Sequence, residues 1–436
     1  EEMAALDENK TWQVVSPAEL PPGARALSTK LVFKRKLDQF GNVERLKTRL
    51  VVRGFEQRAG RDFAEVFAPV VHKTTVRVAL AVAAALGLSV HHLDVSTAFL
   101  NGTIDGDVFI KLPDGIGRDG QVCKLLKALY GLRQSPRRWN EVLDATIKTK
   151  LGMQRSKTDP CLYTRTDPKA SPLFLVVWVD DILVIGRDAV DIDHVKSVFK
   201  SHFKIRDLGE ASMYVGIAIR REHGRMVLSQ EHYTRSLMDK HNLADAKPKT
   251  TPLPPTWSLS AAQAAQPLDP QAAGEYRTIV GEVMYLATAT RPDLSFAASQ
   301  LAQVMSTPTH VAMHAAKHVL RYISGAPGLS LCYSKTRAHP GELTAWVDAT
   351  WASDTATARS VTGYVVVLNG AAVVWKTKKQ TSVARSSCEA EYSALGELAA
   401  ELQFVRSLLH DMHLAPDTPV VVHEDNQGAL RIATNA

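Results

Sequence analysis

Leu173-Phe174-Leu175-Val176-Val177-Trp178-Val179-Asp180-Asp181-Ile182-Leu183-Val184-Ile185-Gly186 sets two adjacent aspartates between two apolar runs. Each run has strand length and is rich in Val, Ile and Leu. Successive side chains of a flat strand point to opposite faces. Asp180 and Asp181 can therefore converge only where the chain bends, which predicts a hairpin with the acids at its turn. Two carboxylates at the rim of an apolar hairpin are costly unless a cation or a donor compensates them. Carboxylate oxygens are the ligands that Mg²⁺ prefers. An isolated Asp-Asp is more often a solvated turn, so the rest of the chain has to decide.

With 436 residues, two to four domains are expected. The chain is 45% hydrophobic and 22% charged, the balance of a soluble globular protein able to bury sizeable cores. A net charge of +7 leans toward anionic partners such as nucleic acid. Cys123, Cys161, Cys332 and Cys388 have no ligand spacing and read as free thiols of a reducing compartment. No apolar run reaches membrane-spanning length and no signal peptide opens the chain, so no membrane partner is expected. The chain opens on Glu1 and stops at Ala436 just after a helix-like start, and reads as a piece of something longer.

Upstream of the hairpin, residues 1–9 read as a helix and 11–15 as a strand. Lys30–Lys36 and Arg45–Arg53 predict a basic hairpin around 38–42. Residues 25–61 carry eleven Lys or Arg against three acids, a surface suited to phosphates of a nucleic acid or a nucleotide. After an Ala/Val/Leu-rich helix over 73–88, the strand Ser89–Val95 delivers Asp94, and Phe99 follows five residues on. Asp94 alone could cap a turn. Paired with the Asp-Asp hairpin, it supplies the several carboxylates that two-metal phosphoryl transfer needs. Between them, Leu129-Tyr130-Gly131-Leu132 leads into a helix starting near Pro136, whose Arg137 and Arg138 could flank a nucleic-acid channel.

Five ordered blocks now resemble the reverse transcriptase of copia-type LTR retrotransposons. They are Lys47-Thr48-Arg49-Leu50-Val51 through Gln57, Phe67-Ala68-Pro69-Val70, Leu93-Asp94-Val95 through Gly102, Leu129–Leu132, and Val179-Asp180-Asp181. Trp178 departs from the Tyr usual before that last block. The resemblance implies that Asp94, Asp180 and Asp181 are the polymerase carboxylates. It places Phe99 under the sugar of the incoming nucleotide and Lys36 and Arg49 on its triphosphate. Tyr130 and Gly131 would line the nucleotide site beside the template.

Downstream, helices are expected over 188–202 and 230–241, with a hairpin of Met213–Arg220 and Arg225–Ser229 between them. Residues 246–274, with six prolines, read as a linker, and 275–325 returns to helix. The last hundred residues carry a second set of acids. Asp348 lies on the strand Leu343–Ala349, and Asn369-Gly370 joins two further strands. Glu391 heads the apolar face of a helix over Ser386–Met412, an odd place for an unpaired charge. Glu389 reads as a solvated acid of the first turn. The strand Val420–His423 ends in Glu424-Asp425. Order and spacing resemble the ribonuclease H domain of the same elements, with Asp348, Glu391 and Asp425 as its metal ligands.

The expected architecture is thus α+β. A right-hand polymerase of fingers, palm and thumb (1–245) precedes the linker (246–274) and a helical connection (275–338). A C-terminally incomplete ribonuclease H-like domain (339–436) follows. The family's fourth ribonuclease H carboxylate is expected beyond Ala436, which predicts weak cleavage of hybrid RNA. Mg²⁺, or Mn²⁺ in its place, is the implied cofactor. Implied partners are an RNA template, a DNA primer, dNTPs, an RNA–DNA hybrid, and the integrase, protease and capsid segments of the same polyprotein. A cytoplasmic virus-like particle with a later nuclear stage is the implied location. A non-catalytic nucleic-acid-binding remnant is the main alternative, opposed by the presence of all three polymerase acids. An RNA-templated RNA polymerase is opposed by Phe99 and by the second acidic set.

Overall fold

The computed structural model describes residues 2–37, 43–113, 115–116, 121–335 and 339–435. The expected turn 38–42 and the side chain of Lys36 lie outside the described residues. Two compact units divide the chain: residues 1–71 with 90–210, and residues 72–89 with 211–436.

The first unit is built on a six-stranded sheet. Its strand order is Ile205–Glu210, Ser89–Val95, Asp181–Gly186, Leu173–Trp178, Leu162–Thr164 and Gln154–Arg155. The two apolar runs pair antiparallel from Trp178↔Asp181 to Leu173↔Gly186. Leu175, Val176 and Ile182 to Ile185 are fully buried, which explains why these runs are continuously apolar. Helices Ser135–Lys150 and Ala189–His202 belong to the same unit. The basic hairpin forms as a two-stranded ribbon, Thr29–Leu37 against Val43–Val52. Its inner end joins a core of Leu50, Val52, Leu100, Ile110, Leu129 and Leu132. Its outer part leaves Phe33, Val43 and Leu46 exposed beside Lys34 and Arg35.

In the second unit, the expected hairpin is part of a four-stranded sheet. Ile217–Glu222 and Arg225–Ser229 turn at His223 and Gly224, both with positive φ. Met213–Tyr214 is a separate edge strand, broken off at Val215 and Gly216, also with positive φ. The fourth strand, Leu331–Ser334, pairs with Arg225–Ser229 across a hundred residues. That pairing places the expected boundary at 245 inside one unit. Residues 246–274 also differ from a free linker. They hold the helix Leu259–Ala264, capped by Ser258, and they bury Leu253 and Ala262 in the core of helices Pro270–Ala289, Ser295–Ala302 and His310–Gly325. Small, Ala-rich side chains give a weak hydrophobic pattern, so the segment's composition concealed its packing.

The same unit ends in a mixed sheet ordered Ala371–Lys379, Arg359–Leu368, Leu343–Asp354 and Val421–His423. The first three strands are antiparallel, and Val421–His423 runs parallel to Leu343–Asp354. Asn369 and Gly370 turn the expected hairpin with positive φ at both. Helix Ser387–Asp411 packs on the sheet through Leu398, Leu402, Val405 and Leu409.

Candidate active sites

The first acidic site forms where two central strands meet. Asp180 sits in the hairpin turn and Asp181 opens the returning strand, so the bend separates their directions. Val179, just before them, has φ +55°. That region is unfavourable for a β-branched residue, so the surroundings must hold the turn. Trp139, buried in helix Ser135–Lys150, donates its indole N–H to the Val179 carbonyl at 2.6 Å. Val95 N–H donates to the Asp180 carbonyl at 2.8 Å. These bonds bring Asp94, one residue before Val95, beside the turn.

Asp94 and Asp180 line one cavity of about 740 Å³, together with Lys47, Thr97, Tyr130 and Arg206. Burial pushes the Asp180 carboxyl above its usual range, and the Asp181 and Asp94 charges push the same way. Asp181 is held to one side: its Oδ1 lies 2.9 Å from His92 Nε2. Among the described residues, Asp94, Asp180 and Asp181 do not bring three ligand atoms within 4.8 Å of one another. Asp94 and Asp180 thus belong to the cavity wall, while Asp181 is engaged with His92.

Three of the expected nucleotide-site residues stack together. Phe99 meets Tyr130 edge-on, with ring centroids 4.7 Å apart. The Arg49 guanidinium lies over the Tyr130 ring at 5.0 Å, and its Nε is buried without a hydrogen-bond partner. A buried guanidinium N–H without a partner is an unmet donor next to Tyr130, which itself lines the acidic cavity. Gly131 follows Tyr130 for a backbone reason. Its φ is +93°, and a Cβ there would lie 2.1 Å from the Val52 carbonyl oxygen. Gly131→Ala should cost at least about 2 kcal/mol, read from the denaturant midpoint of the first unit's transition. An unchanged midpoint would contradict this prediction.

Arg137 and Arg138, expected beside a nucleic-acid channel, are engaged in ion pairs. Arg137 bonds Glu141 at 2.8 Å and also Glu65; Arg138 bonds Glu141 at 2.8 Å and also Asp105.

The second acidic site joins Asp348, Glu391 and Asp425. One ligand atom from each lies within 4.8 Å of the others. Ser386 caps the helix by accepting from Glu389 N–H, and the Glu389 carboxylate accepts from Arg385 N–H at 2.8 Å. That uses Glu389 at the helix end and leaves Glu391, 5% exposed, facing the sheet. Burial, then the charges of Glu424, Asp348 and Asp425, push its carboxyl up to about 7. Its Oε2 is buried with no hydrogen-bond partner. An orphaned, hard oxygen among further carboxylates suits a divalent cation.

Five contributors escaped the sequence reading. His92 shares strand parity with Asp94, which is the signal that could have found it. Trp139 and the pair Gln57–Gln134, bonded at 2.9 Å, act across long sequence separations. Gln57 Oε1 also accepts from Arg133 N–H at 2.8 Å, which locks the loop after Gly131 to the end of the basic ribbon. Glu424 stood in the sequence beside Asp425 with no role assigned.

A family profile described as reverse transcriptase (RNA-dependent DNA polymerase) matches residues 9–255. The chain belongs to the reverse transcriptase family. This reverse transcriptase chain is 37% identical over 430 residues to the retrovirus-related Pol polyprotein from transposon RE2 of Arabidopsis thaliana. It is 36% identical over 444 residues to the one from transposon TNT 1-94 of Nicotiana tabacum. Both are copia-type Pol polyproteins. The matches take in 98% and 100% of this chain but 29% and 33% of those relatives, so the chain spans about a third of their length. The putative transposon Ty5-1 protein of Saccharomyces cerevisiae is 31% identical and matched over its whole length. A foamy viral protease–reverse transcriptase, solved in complex with double-stranded DNA, superposes with a TM-score of 0.54. The alignment covers 98% of this chain and 62% of that one at 11% identity, a likeness of fold. No helix among the described residues is long and apolar enough to cross a membrane.

Proposed function

We propose that this reverse transcriptase chain extends a DNA primer on an RNA template, with its nucleotidyl-transfer centre at Asp94, Asp180 and Asp181. The observation that carries the reading is the single cavity lined by Asp94, Asp180 and Tyr130, with Phe99 and Arg49 packed on the Tyr130 ring. When bound, Mg²⁺ or Mn²⁺ would be held by these carboxylates, and at the second site by Asp348, Glu391 and Asp425, supplying Lewis acidity at the phosphate and at the attacking oxygen. Arg49, stacked on Tyr130, would meet a triphosphate oxygen with its guanidinium, and Lys47 would add charge from the cavity wall; Lys36 keeps the triphosphate role that the resemblance implies. Phe99, braced by Tyr130, limits the space under the sugar. His92 fixes Asp181, and Trp139 fixes the turn that presents Asp180. The ribbon's exposed Phe33 and Leu46 beside Lys34 and Arg35 give the apolar and cationic contacts that a nucleic-acid backbone and its bases take.

In this reading residues 1–245 act as fingers, palm and thumb, 275–338 as the connection, and 339–436 as a ribonuclease H-like domain on an RNA–DNA hybrid. Hybrid recognition would rest on backbone shape and 2′-hydroxyls. Integrase, protease and capsid segments of a Pol polyprotein would be its companions in a cytoplasmic particle, before a nuclear stage.

Phe99→Val tests the nucleotide site. Opening the space under the sugar should raise rNTP relative to dNTP incorporation by roughly 10- to 100-fold. The assay is primer extension with each nucleotide set by both proteins. An unchanged ratio would remove Phe99 from the site.

A further inference from the structure

Beside the three acids whose ligand atoms lie within 4.8 Å of one another, a further carboxylate, Glu424, lines the same cavity as Asp348 and Asp425. We propose that Glu424 is a fourth carboxylate of this cluster and binds a divalent cation there with Asp348, Glu391 and Asp425. The inference rests on reading those three acids as a metal-binding set.

Glu424 follows the strand Val421–His423, and Asn426 then caps the helix Gln427–Thr434 by accepting from Ala429 N–H at 3.0 Å. The cap fixes the two residues between strand and helix. Glu424 Oε1 accepts from Asn426 N–H at 2.9 Å. Its other oxygen, Oε2, is buried and has no hydrogen-bond partner. Glu391 Oε2 is in the same condition, and Glu391 is 95% buried. Of the charges acting on Glu391, that of Glu424 is the largest, ahead of Asp348 and Asp425. Asp425 and Asp348 act in turn on Glu424. Among the described residues, none of the four acids forms an ion pair with a Lys, Arg or His. Asp348, Glu424 and Asp425 also share the wall of one cavity of about 710 Å³.

Two buried, unpartnered carboxylate oxygens within one all-acid cluster are a strong physical demand for positive charge. A proton shared between two carboxylates could meet part of it. Hard oxygen donors from Asp348, Glu424 and Asp425 on a cavity wall, with buried Glu391 beside Asp348 and Asp425, meet it better with a divalent ion, which also takes water there. Position matters as well as charge. Glu391 comes from the helix, Asp348 from one strand, and Glu424 with Asp425 from the end of the neighbouring parallel strand, so the donors approach from three sides.

The test is a Mn²⁺ titration of the full chain carrying Asp94→Asn and Asp180→Asn, so that binding at the first site does not contribute. Free Mn²⁺ is read by electron paramagnetic resonance, and the metal-induced rise in melting temperature is read in parallel. Glu391→Gln should abolish tight binding. Glu424→Gln should weaken it by about tenfold and shrink the melting shift, the size expected for one supporting ligand. Glu424→Asp keeps the charge but withdraws the oxygen by one methylene. It should weaken binding less than Gln does, and it serves if the Gln variant does not fold. Loss of binding in Glu391→Gln with wild-type affinity in the folded Glu424 variants would overturn the role of Glu424 alone. Wild-type affinity in Glu391→Gln would overturn the metal reading of the whole cluster.

Discussion

Asp180→Asn should leave the first unit folded and reduce primer extension by about 1,000-fold or more. The fold survives because Asn keeps the shape of the turn. The bonds from Trp139 to the Val179 carbonyl and from Val95 to the Asp180 carbonyl use backbone oxygens, which the substitution does not touch. The carboxyl is also held above its usual range by burial and by Asp181, so removing its charge relieves the metal-free protein rather than stressing it. The loss falls on catalysis: a metal-binding charge in a low-dielectric cavity contributes several kcal/mol to the transition state, and about 1.4 kcal/mol is a factor of ten. Melting temperature and extension rate, measured on the same preparation, separate the two effects. Extension within a few-fold of wild type by a folded variant would remove Asp180 from the centre.

Glu391→Gln should stabilise the second unit when divalent ions are chelated, and more so at higher pH. The folded-state carboxyl titrates at about 7 against an ordinary 4.5. A raised carboxyl pKa means that the folded state holds the proton more tightly than the unfolded chain. Its contribution is therefore fully present below pH 4.5 and is lost as pH rises through 7. At pH 8 the buried, ionised Glu391 costs the metal-free fold roughly 3 kcal/mol. Gln removes that cost and most of the pH slope across this window. The check is chemical denaturation with a chelator at pH 5 and pH 8. Equal effects of the substitution at both values would mean that Glu391 is not a strained, buried acid.

These residues also show what a linear chain reveals. The hairpin carrying Asp180 was legible because two continuously apolar runs leave no room for two acids except at a bend. Glu391 was legible because the helix has a clear apolar face and a charge heads it. Turn chemistry at Asn369-Gly370 was legible for the same local reason. What escaped depends on contacts between distant segments. The indole of Trp139 finds a carbonyl forty residues away, and nothing near Trp139 announces it. Leu331–Ser334 is four residues long, too short for a period to stand out, yet it pairs with Arg225–Ser229 across a hundred residues. The helix in 246–274 was hidden by its proline neighbours. Asp181 and Asp180 look equal in the sequence, since adjacency says nothing about which of the two a buried His92 holds.

The most direct measurement is template-dependent incorporation of labelled dNTPs by the 436-residue chain. A DNA primer annealed to an RNA template is supplied with Mg²⁺, and a second reaction omits the template. The account predicts incorporation that requires the template and that Asp180→Asn abolishes. A folded wild-type chain that adds no nucleotide to the primed RNA, or adds as much with Asn at position 180, would contradict it.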